Sequence, residues 1–230
     1  WAMLNTADED AFQRQDWVQK VRRLALAEAD KLRGKHEWRD AHALYYSLSL
    51  IFEKDKDIDR RRKECLEHAR LDEIYKPDRE WQEDLEGINE RMGEEAIYRI
   101  DRKYVEEADF KAMTEAGYEE LLLIADSPTL AEQFVGLTGE RGQEFASRIR
   151  KKLGQIQAQP SLTYREALQY FRRALDINRQ TARVPNALVV KEYTNAALDR
   201  LDEFTSIIWP HDYREFEKHT RGDFIGVGIQ

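Results

Sequence analysis

The sequence predicts an all-α fold of packed helical hairpins, with an incipient β-strand at its C-terminus. Three observations carry this. Charged residues make up 36% of the 230 residues, while Gly and Pro are sparse at 11 and 5; that balance favours helices with solvated, ion-paired outer faces. Apolar residues recur at spacings of three and four through most of the chain, the helical period. The last dozen residues, "HTRGDFIGVGIQ", break the pattern, with Gly222, Gly226 and Gly228 set among Phe, Ile and Val. A chain of this length with 41% hydrophobic residues buries a real core and is not a disordered one.

Taken in order, the first helix opens with Thr6 and Glu9 in capping-box spacing and runs to about Arg33, with Trp17, Val21, Leu24 and Leu32 on its apolar face and Gly34 as the stop. The second starts near Glu37, with the stripe Trp38, Ala41, Tyr45, Leu48 and Phe52. A third carries Cys65, Leu66, Ala69 and Ile74 and ends before Pro77. A longer helical stretch over 78–104 has Trp81, Leu85, Ile88, Met92, Ala96, Ile97, Ile100 and Tyr104 on one side and Gly93 as its bend. Two shorter helices follow, separated by Asp126 and Ser127 ahead of Pro128, a helix end and a new cap. The glycine-bearing "VGLTGERGQ" is the weakest helical segment, and "GQIQAQP" reads as a linker. Ser161 or Thr163 caps the next helix. The last long helix starts near Pro185 and carries Leu188, Val189, Tyr193, Ala196, Ala197 and Leu201.

Two stretches resemble tetratricopeptide helices: "WRDAHALYYSLSL", with Trp38, Ala41, Tyr45 and Leu48, and "YREALQYFRRAL", with Tyr164, Ala167, Phe171 and Ala174. The alanines let a paired helix approach and the rings fill the space on either side. Two distant half-matches are not a repeat array, which needs several stacked units. They imply hairpins of repeat-like geometry.

The single cysteine, Cys65, excludes an intrachain disulfide and reads as an inert core thiol, although His68 lies one turn away. A net charge of −8 disfavours nucleic acid, and the runs Arg60 to Arg62 and Arg148 to Lys152 read as solvated faces. No apolar run approaches a membrane span, and the first residues, "WAMLNTADED", show no signal-peptide pattern. Near the end stand Glu203, Ser206, His211, Asp212 and His219, but adjacent His211 and Asp212 do not face each other on a helix. Neither His36 with His42 nor His211 with His219 has metal-site spacing, and "GERG" lacks the Lys of a phosphate loop, so no cofactor is expected.

The final segment resembles the C-terminal processing peptidases, also called tail-specific or carboxyl-terminal proteases. The residues that carry this are Leu201, Asp202, Phe204, Thr205, Trp209, Pro210, Tyr213, Phe216, Thr220, Gly222, Phe224, Gly226, Val227, Gly228 and Ile229, with Glu203 where the family usually has Pro in a turn. The stretch "YRIDRKYVEEADFKAMTEAGYEELLLIAD" resembles the family's helical pre-domain more loosely. The tetratricopeptide-like stripe places helical hairpins over 1–78, where the peptidase resemblance carries no signal; the resemblance implies a helical pre-domain over 79–220 and, over 221–230, the first strand of a PDZ domain that continues beyond this sequence. It implies that Gly226, Val227, Gly228 and Ile229 help receive a peptide's C-terminal carboxylate, glycines being able to turn backbone N–H groups toward an anion while the peptide adds as a strand. The family's catalytic serine and lysine would lie downstream. The expected function is a non-catalytic scaffold in a serine endopeptidase that binds protein C-termini, in the cell envelope if the resemblance holds, with cytoplasm equally compatible with one cysteine. The alternative is a stand-alone helical adaptor that binds partner peptides and needs nothing downstream.

Overall fold

The computed structural model describes residues 9–220, with side chains from 10 to 218. Among these residues every regular element is helical. The chain divides into two compact units, Trp1–Ile74 and Tyr75–Gln230. The expected strand at 221–230 and the cap Thr6 lie outside the described residues.

The first unit holds α1 (Glu9–Gln13), α2 (Asp16–Gly34), α3 (Trp38–Ser49) and α4 (Lys56–Ile74). The single first helix expected to run to Arg33 is in fact two: Gln15 is extended, and the break turns Phe12 into a cluster with Val18, Leu48, Phe52 and Ile58. The expected face of α2 is also corrected. Trp17, Val21 and Leu24 are each more than half exposed, whereas Val18 and Ala29 are buried. Apolar residues surround this helix, so its own periodicity admits more than one stripe. The decision falls to α3, whose rings need a small partner: Ala29 is packed with Trp38, Ala41, Tyr45 and Cys65. The stripe read on α3 is the buried one. His36, in the loop between α2 and α3, takes a left-handed φ of 61°. On α4, Cys65, His68 and Leu71 are buried while Leu66 faces out.

A polar cluster stands beside this core. Tyr45 donates its hydroxyl proton to Asp30 Oδ1 at 2.6 Å, and Arg61 donates to the same oxygen. Burial, with the bond to Asp30, pushes the Tyr45 phenol up to about 12. For Asp30, burial acts upward, but Tyr45 and Arg61 outweigh it and hold the carboxyl below its ordinary value.

The second unit holds α5 (Trp81–Asp84), α6 (Glu90–Lys103), α7 (Phe110–Asp126), α8 (Pro128–Gln133), a 3₁₀ turn at Val135–Leu137, α9 (Gly139–Gln157), α10 (Tyr164–Gln180), α11 (Asn186–Leu198) and α12 (Pro210–Thr220). Its centre is α7, which packs against α9, α10 and α11. Here Tyr118, Phe171 and Tyr193 meet edge-on, with ring centroids 5.9 Å apart for Tyr118–Tyr193 and 5.1 Å for Phe171–Tyr193. Tyr118 donates its hydroxyl proton to the Tyr170 carbonyl at 2.8 Å.

The helix boundaries differ from expectation where tertiary contacts intervene. The stretch over 78–104 breaks at Gly87, which has φ +81°, a conformation that costs glycine little. Gly93, expected to bend the helix, lies inside α6, where its missing Cβ makes room for the Phe171 ring. The first of the two expected short helices is the long α7, capped by Asp109, whose side chain accepts from Ala112 N at 2.9 Å. Ser127 caps α8 with Pro128 in its first turn. "GERGQ" is the start of α9, and most of the expected linker 154–160 is its last turns, because Ile156 is fully buried. Thr163 is the cap of α10, in a reciprocal capping box with Glu166. α11 ends at Leu198, so Leu201 lies beyond it. None of the described helices is long and apolar enough to cross a membrane.

Candidate functional site

The segment after α11 carries most of the residues singled out for function. Asp202 organises its first turn: Oδ1 accepts from Phe204 N at 2.8 Å and Oδ2 from Thr205 Oγ1 at 2.6 Å. Thr205 first and then the Phe204 amide hold this carboxyl below its ordinary value, with the Tyr104 hydroxyl adding to them. The Thr205 amide also donates to the Asp202 carbonyl at 3.3 Å. Glu203 therefore occupies the second position of a β-turn, which proline suits but does not require.

From Thr205 to Trp209 the chain runs without helix, turn or bend. Trp209 then anchors it: the ring is buried, and Nε1 donates to Asn195 Oδ1 on α11 at 3.0 Å. Pro210 opens α12 and packs on Gly87. Arg214 pairs with Glu86 at 2.8 Å, and His211 Nε2 lies 3.7 Å from Asp84 Oδ1. Asp84 also faces Arg79 and Lys191. Tyr213 and Phe216 are exposed on the outer side of α12.

This placement separates the polar groups read from sequence. His211 faces Asp84 and not Ser206; Ser206 is exposed in the straight run, and Asp212 sits in the first turn of α12. Among the described residues no hydrogen bond joins Ser206, His211 and Asp212. Glu203 is exposed, and the His219 side chain lies outside the described residues. Cys65 is fully buried, and burial pushes its thiol up to about 11, away from nucleophilic character. The neighbouring His68 ring stacks flat on Trp38, with centroids 3.9 Å apart. Arg60, Arg61 and Arg62 are each paired with aspartates of the same unit. No group of three or more His, Cys, Asp or Glu among the described residues is placed to hold a metal. Gly226, Val227, Gly228 and Ile229, expected to bind a peptide carboxylate, lie outside the described residues.

One feature of this region escaped the sequence reading. A groove of about 710 Å³ lies between α6 and the straight run; Met92, Ala96 and Ile100 form one side, with Leu198, Ile207 and Ile208 among the other lining residues. α6 buries Gly93 and Ile97 in the core, so Met92, Ala96 and Ile100 are a second, adjacent apolar stripe, left half-buried. The signal was present: the apolar positions of this helix cover more of its circumference than one neighbour can bury.

Comparison with known proteins gives no further assignment: no family model, no curated protein and no solved structure matches this chain.

Proposed function

We propose that this chain is the non-catalytic helical region of a C-terminal processing serine endopeptidase, positioning a PDZ domain that recognises protein C-termini. The observation that carries the reading is the run of spaced residues from Leu201 to Thr220 followed by Phe224, Gly226, Val227, Gly228 and Ile229. Many positions of the family pattern agree at once, and the one departure, Glu203, falls in a turn that tolerates it. Residues of the same run do structural work: Asp202 closes the turn, Trp209 locks to Asn195, and Pro210 seats on Gly87. These contacts hold the run from Asp202 into α12 against the second unit, as a scaffold for a following domain requires.

The test is to read the coding sequence past Gln230 and to assay this chain alone. The reading requires a PDZ domain and then a core with a catalytic serine and lysine, and no peptide hydrolysis by the 230-residue chain. A stop codon directly after Gln230, or hydrolysis abolished by Ser206→Ala, would overturn it.

A tetratricopeptide-like adaptor is the second reading. It is favoured by the small-to-aromatic packing of Ala29 and Ala41 with Trp38 and Tyr45, and by the uncovered Trp17, Val21 and Leu24 on α2.

A further inference from the structure

We propose that the groove between α6 and the run Thr205–Ile208 binds an extended polypeptide segment of another protein, which adds as a strand along Ser206–Ile208 and seats an apolar side chain on Met92, Ala96 and Ile100. This goes beyond the peptidase reading and does not depend on it.

Three observations converge on such an occupant. The first is the leftover stripe of α6, which with Leu198, Ile207 and Ile208 makes an apolar cleft in a chain where 36% of residues are charged. Ile208 is 69% exposed beside it. The second is the backbone. Ser206, Ile207 and Ile208 make no backbone hydrogen bond to any described residue, and they lie in a run without turn or bend. Such a run leaves its N–H and C=O groups open to pairing with an added strand. The third is charge. Of the two arginines lining the groove, Arg99 is paired with Glu95 at 2.8 Å, while Arg91 makes no ion pair among the described residues. Among the described residues it is the groove's unpaired cation, open to a carboxylate on the incoming segment.

The chemistry selects among occupants. A helix satisfies its own backbone and would leave Ser206–Ile208 unpaired. A nucleic acid would meet one such arginine on a chain of net charge −8. An extended peptide with alternating apolar side chains and a carboxylate satisfies the backbone edge, the stripe and Arg91 together.

The experiment uses the full 230-residue chain and a fluorescein-labelled peptide alternating valine and threonine, with a free C-terminal carboxylate, read by anisotropy. Saturable binding is expected. Ala96→Glu puts a charge on the groove's apolar side and should weaken binding about tenfold or more. Arg91→Glu should weaken the free-carboxylate peptide about threefold, the scale of an exposed ion pair, and leave the amidated peptide unchanged. Ile208→Pro removes one edge N–H at an exposed position, so it separates lost binding from lost folding; it and N-methylation of alternate peptide amides should each abolish binding. No saturable binding, or binding indifferent to Ala96→Glu and to N-methylation, overturns the proposal. So does self-association of the chain that Ala96→Glu abolishes, since the occupant is then a second copy.

Discussion

Gly117 on α7 lies against the Tyr193 ring on α11, so close that a Cβ at position 117 would stand 2.6 Å from Cε2 and Cζ. Both residues are buried at the centre of the second unit. Tyr193 touches Tyr118 and Phe171 as well, so the ring has no free direction in which to retreat. Gly117→Ala should therefore destabilise by about 1–3 kcal/mol, the usual cost of overpacking. Urea unfolding followed by circular dichroism measures it; an unchanged midpoint would show that the two helices separate freely.

Trp209 and Asn195 fix the segment that leads into α12. Trp209→Phe keeps a ring but loses the indole donor, leaving Asn195 Oδ1 without this bond. The expected loss is about 1 kcal/mol. Limited proteolysis should cut faster between Leu201 and Trp209 in this variant, and equal rates in both proteins would mean that the hydrogen bond does not hold the segment.

Thr163 begins α10 through a reciprocal pair. Its hydroxyl accepts from Glu166 N, while Glu166 accepts from Thr163 N at 2.8 Å. Thr163→Ala removes half of this box and should cost about 1 kcal/mol, with Thr163→Ser nearly neutral. Thermal unfolding of the two variants side by side checks the ordering.

Alkaline pH should weaken the first unit through Tyr45. The phenol titrates at its ordinary 10 in the unfolded chain and at about 12 when folded. Raised in the folded state, it contributes stability that is whole below pH 10 and is lost as pH climbs to about 12. Tyr45→Phe should flatten the fall of melting temperature across that window. Parallel curves for the two proteins would rule the phenol out as the titrating group.

Much of the helical layout is legible in the chain itself. The stripe Trp38, Ala41, Tyr45, Leu48 and Phe52 is the buried one, and Asp126–Ser127–Pro128 marks a helix end and a new cap. Signals of this kind act within one or two helical turns, so residues close in sequence suffice to write them. The candidate site was less legible. The sequence singles out Asp202, Trp209 and Pro210 as members of a pattern, but their partners Asn195 and Gly87 are remote or unremarkable in it.

What the sequence by itself determined is the class, the buried stripe of α3 and the caps at Ser127 and Thr163, because period and capping are local properties of the backbone. The tertiary structure alone decided where the longer helices break and which apolar face turns inward. α2 offers Trp17, Val21 and Leu24 as readily as Val18 and Ala29, and the small side chain wins because Trp38 and Tyr45 need the space. The same competition leaves Met92, Ala96 and Ile100 half-covered once Gly93 has admitted Phe171. Burial is a choice between surfaces from different parts of the chain, and shape complementarity, which no local pattern contains, makes it.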